Sequence, residues 1–329
     1  MNSINTNIPV HLNFQTQLKE HAHHFFKKPG VVKLFTYLPS CIFGKNKNLA
    51  TLITRCHKVF ADTKKHLDPT IKVYGGDKLH TLENWQNRQI KPKHLPNKLY
   101  FTTADSLTAA RHRRMPLIDK TEKIAIVNFA NRWQAGGVAY APYGGSQEEF
   151  LARRSNMAKK ENFEEAHRQI AAIRKTEGFE EDDNFHHHIP YFGTVVASNV
   201  TFIADKDTVT EPTRFDQFDT IWTAAVDNRK NSDEARFLKK HCAGSGEEVR
   251  YEIMKNKLRA IFSSAIANND QHLILGAYGC GCFNNDDTKV ASIIKNLLDT
   301  EYKGCFKSIT FSITDAKKLD TFQKVLSNE

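Results

Sequence analysis

The chain is poor in cysteine and lacks any long apolar run. Its six cysteines in 329 residues are too sparse for a disulfide framework. No stretch of about 18 uncharged apolar residues is present, and residues 1–10 lack the basic and apolar segments of a signal peptide. We therefore expect a cytoplasmic protein with reduced thiols and no membrane association.

Patterns of metal ligands are also missing. Cys280 and Cys282 are separated by one residue, which is tighter than the usual spacing of paired zinc ligands. The histidines of the triplet His186-His-His188 are consecutive, and three consecutive side chains cannot easily face one ion. We expect no bound metal.

Acidic residues are scarce in the N-terminal third. Residues 1–99 hold 16 Lys and Arg against 5 Asp and Glu, whereas residues 100–329 hold 31 against 32. The formal net charge of +10 therefore belongs to the N-terminal third. This excess predicts either an ordinary solvated basic face or a surface for an acidic partner, such as a nucleic acid or another polyanion.

The first 95 residues differ in pattern from the rest of the chain. Apolar residues recur at three-to-four spacing over residues 15–26 and 49–67, which predicts helices. The two close prolines of Lys91-Pro-Lys-His-Leu-Pro96 disfavour both a helix and a central strand. We therefore predict a basic, largely helical extension over residues 1–95 and a larger domain over residues 96–329.

In the larger domain, short apolar runs alternate with helical periodicity. The runs predict strands at residues 99–102, 124–129, 194–198, 220–225, 272–277 and 308–313. Helices are predicted at residues 105–113, 148–157, 162–175, 249–268, 288–298 and 316–326. This alternation predicts an α/β domain with helices on both faces of its sheet, in which ligands bind beyond the carboxyl ends of strands.

Two glycine loops follow predicted strands. Ala135-Gly136-Gly137 follows the strand that ends at Phe129 and precedes the acidic triplet Gln147-Glu148-Glu149. Adjacent carboxylates favour proton-transfer chemistry, and bare backbone N–H groups favour an anionic ligand such as a diphosphate. The second loop, over residues 276–286, repeats the glycines and adds an aromatic residue, Phe283. Either loop alone is also compatible with an ordinary turn.

These motifs resemble those of the microbial-type poly(ADP-ribose) glycohydrolases, a branch of the macrodomain superfamily. The family signature is a strand ending in Asn-Phe-Ala, a glycine loop and a Gln-Glu-Glu triplet. It is similar to Val127-Asn-Phe-Ala-Asn131, Gly136-Gly-Val138 and Gln147-Glu-Glu149, in that order. Leu275-Gly-Ala-Tyr-Gly-Cys-Gly-Cys-Phe-Asn-Asn-Asp286 is close to a second family motif. The resemblance covers roughly residues 98–329 and implies a three-layer α/β/α fold with a mixed sheet.

The resemblance also implies a role for each matching residue. Glu149 would be the catalytic acid and base, while Glu148 would hold ribose hydroxyls and Gln147 would order the loop. The remaining residues implied to contact the ligand lie in three places. Asp105 would contact adenine, and Asn131 would contact the distal ribose. One side of the diphosphate would be bound by Gly136, Gly137 and Val138. The opposite side of the diphosphate would be bound by Gly279, Cys280, Gly281, Cys282 and Phe283. No cofactor is implied.

The implied activity is hydrolysis of the O-glycosidic bond at the distal ribose of ADP-ribose, which would reverse ADP-ribosylation. The spacer between Gly137 and Gln147 is longer than is usual in the family, so polymeric and protein-linked single ADP-ribose both remain possible substrates. One alternative is a reader module that binds ADP-ribose without cleaving it. A second is an effector-type hydrolase, translocated into a host cell and docked to a specific protein by its N-terminal extension.

Overall fold

The described residues form a single mixed sheet with helices on both faces. The computed structural model describes residues 69–75, 97–132, 136, 145–158, 160–177, 189–203, 215–229, 232 and 246–327. The strands are β1 (Thr70–Tyr74), β2 (Lys98–Thr102), β3 (Ile124–Phe129), β4 (Thr194–Ile203), β5 (Phe215–Thr223), β6 (His272–Leu275) and β7 (Ser308–Ser312). The helices are α1 (Ser106–Arg114), α2 (Gln147–Arg153), α3 (Lys160–Glu177), α4 (Glu247–Ala267), α5 (Asp287–Asp299) and α6 (Ala316–Ser327).

The strand order across the sheet is β1-β4-β5-β3-β6-β7-β2. Strands β5, β3, β6, β7 and β2 pair in parallel, whereas β1 and β4 add two antiparallel pairings at one side. The carboxyl ends of β3 and β6 therefore lie side by side at the same edge. These are the two strands that the glycine loops follow.

Alternation along the strands explains the two helical layers. In β3, Ala125 and Val127 point into one apolar core, whereas Ile124 and Ile126 point into the other. Helices α4, α5 and α6 supply residues to the first core, while α1, α2 and α3 supply residues to the second. A strand buried on both faces needs apolar residues at every position, and this is why β3 begins as a continuous apolar run.

The predicted three-layer α/β/α fold with a mixed sheet is confirmed. All six strands and six helices predicted for residues 96–329 are present, with ends displaced by a few residues. The largest displacements are in β4, which extends to Ile203, and in β5, which begins at Phe215. None of the helices that the structure describes is both long and apolar enough to cross a bilayer.

Strand β1 lies in the segment that the sequence assigned to a helical extension. It pairs with β4 from Thr70↔Ser198 to Tyr74↔Thr194, so the sheet begins before the boundary predicted at residue 95. A five-residue strand whose partner lies more than a hundred residues away leaves little local signal. The helices predicted at residues 15–26 and 49–67, the connector at 91–96 and the histidine triplet lie outside the described residues.

Candidate active site

Gln147 joins the end of β3 to the beginning of α2. Its side-chain Oε1 accepts a hydrogen bond from the Phe129 N–H at 2.9 Å. Its Nε2 donates to the Val127 carbonyl at 2.8 Å and to the Ser106 hydroxyl at 2.9 Å. The amide thus continues the hydrogen bonding of β3 and also reaches the first residue of α1. That Gln147 orders the first glycine loop stays a prediction.

Glu148 fastens the segment that follows β3. Its carboxylate is 2% exposed, and Oε2 accepts a hydrogen bond from the Asn131 N–H at 2.7 Å. A carboxylate in the first turn of a helix is also favoured by the helix dipole. The structure therefore brings Asn131, expected at the distal ribose, next to the acidic pair.

Glu149 follows as the third residue of α2 and is 7% exposed. Its Oε2 accepts hydrogen bonds from both the N–H and the hydroxyl of Ser146, with 2.9 Å between the backbone nitrogen and Oε2. Ser146 and Glu149 form a capping box, in which a serine and a glutamate three residues apart satisfy the free N–H groups of a helix start. The two adjacent glutamates therefore bind different donors.

The first glycine loop is described only at Gly136. This residue is buried and has φ +71°, a left-handed conformation that residues other than glycine rarely adopt. Gly137 and Val138, expected at the diphosphate, lie outside the described residues, as does Ala135.

Three residues that pack together were not identified from the sequence. Arg132 is buried, and its guanidinium carbon lies 4.6 Å from the centroid of the Tyr191 ring. The buried Lys257 lies over the same ring, with Nζ 4.0 Å from its centroid, and donates to the Tyr191 carbonyl at 2.6 Å. Two cations thus pack on one aromatic ring. No sequence spacing connects these three distant residues.

The second glycine loop packs closely against the ends of neighbouring strands. A Cβ atom on Gly276 would lie 2.7 Å from the Ser312 carbonyl oxygen and 3.0 Å from Cζ of Phe129. Only a glycine therefore allows this approach, which brings the loop against the residue that ends β3. The rings of Phe129 and Tyr278 are 5.9 Å apart. The second loop therefore lies against the carboxyl end of β3.

The predicted ligand residues of the second loop differ in their exposure to solvent. Cys280 is buried, burial raises the pKa of its thiol, and its Sγ donates to the Tyr278 carbonyl. Gly281 and Cys282 are exposed, and Phe283 is half-buried. The exposed members are the ones that a ligand can reach directly.

Arg229 lies beside Phe283, with its guanidinium carbon 5.4 Å from the ring centroid. Asp227 accepts two hydrogen bonds from this guanidinium, at 2.8 Å from Nε and 2.6 Å from Nη2, and these bonds raise the pKa of Arg229. The Asn228 N–H donates to the Phe283 carbonyl at 2.9 Å. The segment after β5 therefore supports the exposed rim of the second loop.

Asp105 is the N-cap of α1. Its Oδ1 accepts hydrogen bonds from the N–H groups of Leu107 and Thr108, at 3.0 and 2.9 Å, and Oδ2 accepts from the Thr108 hydroxyl at 2.7 Å. The next residue, Ser106, contacts Gln147, so Asp105 lies near the start of α2. Among the residues that the structure describes, no group of three or more His, Cys, Asp or Glu could hold a metal ion.

Comparison with known proteins gives a family match that spans the acidic pair. Residues 48–183 match the family model for the microbial-type PARG, catalytic domain. The matched segment includes β3, Glu148 and Glu149, and it begins within the predicted N-terminal extension. No curated protein sequence matches the chain.

Solved poly(ADP-ribose) glycohydrolases have a similar fold. The enzyme of Thermomonospora curvata bound to the inhibitor ADP-HPD aligns with 84% of this chain and 98% of its own, with a TM-score of 0.60 and 17% identity. The Deinococcus radiodurans enzyme in complex with ADP-ribose aligns with 83% of this chain and 97% of its own, with a TM-score of 0.58 and 20% identity. At these identities the likeness establishes the fold. The resemblance to the microbial-type poly(ADP-ribose) glycohydrolase catalytic domain, predicted from two motifs, is thus confirmed.

Proposed function

We propose that this protein hydrolyses the O-glycosidic bond at the distal ribose of ADP-ribose, in polymeric or protein-linked form, and so reverses ADP-ribosylation. The observation that carries the proposal is the pair of nearly buried carboxylates, Glu148 and Glu149, at the beginning of α2. Gln147 links them to the end of β3, and the second glycine loop packs against Phe129, the residue that ends β3. The family match over residues 48–183 supports the same activity.

Glu149 is the proposed acid and base. As an acid it protonates the oxygen that leaves the anomeric carbon, while positive charge develops on the ribose as the C–O bond breaks. The resulting carboxylate then takes a proton from the water that attacks the same carbon. Glu148 holds the ribose hydroxyls and, through its bond to the Asn131 N–H, keeps the sugar-binding segment in place.

The remaining proposed contacts are with the diphosphate, a ribose and the adenine of the ligand. Gly136, Gly137 and Val138 bind it on one side, and residues 279–283 bind it on the other, with Phe283 against a ribose. The open space around Gly281 supports this arrangement, because no atom of the described residues beyond its chain neighbours lies within 4 Å of the position that a Cβ would take. Asp105 is proposed to contact adenine, since its Oδ2 accepts one hydrogen bond within α1 and can accept another from an amino group.

The replacement Glu149→Gln tests the proposed reaction. We expect release of ADP-ribose from a modified protein to fall by about 10²–10⁴-fold, because an amide can neither give nor take the proton. The matched control is Glu248→Gln, which makes the same change at an exposed residue in the first turn of α4. Binding of ADP-ribose, measured by calorimetry, should survive in both variants.

The same assay separates the enzyme from a reader module. If the wild-type protein binds ADP-ribose but releases none from poly(ADP-ribose) or from a protein with single ADP-ribose groups, the reader hypothesis is correct and the hydrolase hypothesis is wrong. Parallel measurements with poly(ADP-ribose) and with a protein carrying single ADP-ribose groups determine the preferred form. The solved relatives carry ADP-ribose or the inhibitor ADP-HPD, which makes both compounds suitable binding probes.

We also propose that residues 1–95 dock the enzyme to an acidic or protein partner. The support is the excess of 16 Lys and Arg over 5 Asp and Glu in residues 1–99. The proposed place of action is the cytoplasm, either of the cell that makes the protein or of a host cell that it enters as an effector. Target binding that does not weaken with rising salt would contradict electrostatic docking.

A further inference from the structure

Ser146 contacts the carboxylate of Glu149, the proposed acid and base. It precedes α2 in an extended conformation, with φ −78° and ψ 172°. Its backbone N–H and its hydroxyl both donate to Oε2 of Glu149, so one carboxylate oxygen receives two hydrogen bonds from one residue. Ser146 is exposed, whereas Glu149 is nearly buried.

A capping box usually stabilises the start of a helix and has no other role. Here the glutamate of the box is also the proposed acid and base. The hydrogen bonds that begin α2 therefore also set the direction of the carboxyl group. A water molecule that took the place of the Ser146 hydroxyl would lack the covalent tether that fixes its position.

The two donors also distinguish the two oxygens of the carboxyl group. A backbone N–H can donate but cannot accept, so the oxygen facing it remains an acceptor in both protonation states. Protonation of Oε2 would oppose this bond. The transferable proton therefore belongs on the other oxygen, Oε1.

We propose that Ser146 is a positioning residue that holds Oε2 of Glu149 and assigns proton transfer to Oε1. This inference rests on the proposed hydrolysis. The proton moves from Oε1 to the leaving oxygen as the bond to the anomeric carbon breaks. Oε1 then receives a proton from water as the new C–O bond forms, while the two bonds from Ser146 to Oε2 persist.

Three replacements of Ser146 test the proposal in the full-length protein. Ser146→Ala and Ser146→Gly remove the hydroxyl, and glycine is a well-tolerated residue at an N-cap. Both should lower kcat for release of ADP-ribose by about tenfold or more, with KM changed less than about twofold, because a displaced catalytic group slows the chemical step. Ser146→Thr keeps a hydroxyl and should restore most of the turnover.

Asp315→Ala is the matched control for loss of a helix cap. Asp315 accepts hydrogen bonds from the N–H groups of Lys317 and Lys318, at 2.9 and 3.2 Å, at the start of α6. This variant should lose stability as Ser146→Ala does and keep the wild-type kcat. Wild-type kcat in Ser146→Gly, or an equal loss of kcat in Asp315→Ala, would overturn the inference. Absence of turnover in the wild-type protein would instead overturn the proposed function.

Discussion

Gly279 and Gly281 are two residues apart in the second glycine loop and have different surroundings. Gly279 has φ +76°, and a Cβ atom on it would lie 2.7 Å from both Cβ of Ala225 and Nδ2 of Asn285. A Cβ atom on Gly281 would meet no atom within 4 Å. The backbone conformation requires glycine at position 279, whereas neither the conformation nor a neighbouring atom of the described residues requires it at position 281.

Replacing each glycine with alanine should distinguish a requirement of the backbone conformation from a requirement of the ligand. Gly279→Ala is expected to lower the free energy of unfolding by about 1–3 kcal/mol, because it combines a left-handed backbone with a collision. Gly281→Ala should change that free energy by less than about 0.5 kcal/mol. It should nevertheless weaken ADP-ribose binding by about tenfold if the ligand lies against the loop. Urea unfolding and calorimetry give the two quantities, and equal stability of both variants would contradict the argument.

Two glutamines each link a helix to a strand through side-chain hydrogen bonds. Gln147 in α2 binds the Phe129 N–H and the Val127 carbonyl of β3. Gln169 in α3 binds the backbone of β1 in the same way, accepting from the Val73 N–H at 2.9 Å and donating to the Ile71 carbonyl at 2.9 Å. Only the first glutamine lies beside the acidic pair.

We expect Gln147→Ala and Gln169→Ala to have similar effects on stability and different effects on binding. Each should cost about 2–3 kcal/mol, because two backbone groups lose their partner in a partly buried place. Gln147→Ala should also weaken ADP-ribose binding, since the start of α2 would move relative to β3. Gln169→Ala should leave binding unchanged. Wild-type stability in Gln147→Ala would show that this link is unimportant.

The molecule has different polar groups at the two ends of its parallel strands. The second glycine loop follows the carboxyl end of β6, and Gln147 links the acidic pair to the carboxyl end of β3. At the amino ends, Lys123 pairs with Asp219 at 2.9 Å, and the Asn268 amide donates to Asp219 and Asp270 at 2.8 and 3.1 Å. His272 binds Ser308 and Glu122, at 2.7 Å each. Substitutions at the amino ends should therefore change stability and not ligand binding.

Asp270 allows a pH-dependent test of the prediction that the amino ends of the strands affect stability and not ligand binding. Burial, followed by the neighbouring Asp219 carboxylate, raises the pKa of Asp270 well above its ordinary value. The unfolded chain releases this proton near pH 4, whereas the folded protein retains it to higher pH. The contribution of Asp270 to stability is therefore present below about pH 4 and is lost as pH rises toward its pKa in the folded protein.

Asp270→Asn keeps a neutral group at every pH. Its stability relative to wild type should rise between pH 4.5 and 7.5, by on the order of 1 kcal/mol or more. Urea unfolding at the two pH values measures the change, and ADP-ribose binding should stay as in wild type. Asp320→Asn, at an exposed residue paired with Lys324, is the control and should show no such trend. An equal effect of Asp270→Asn at both pH values would contradict the prediction.

Local patterns predicted most elements of the sheet domain and part of its site. The apolar run of β3 and the two glycine loops were recognisable because burial on both faces and close backbone approach restrict residue type. Strand β1 was missed because its partner is distant in sequence. Ser146 was also missed, although the spacing Ser-x-x-Glu is the signature of a capping box and could have revealed it.

The order of residues alone was sufficient for the fold class, the family resemblance and the choice of Glu149 as the candidate acid. Each depends on local chemistry that appears as a motif or a periodicity. Only the tertiary structure showed the packing of Arg132 and Lys257 on Tyr191. The same holds for the different surroundings of Gly279 and Gly281 and for the contact of Ser146 with one oxygen of Glu149. They depend on packing and on hydrogen-bond direction, which residue spacing does not specify.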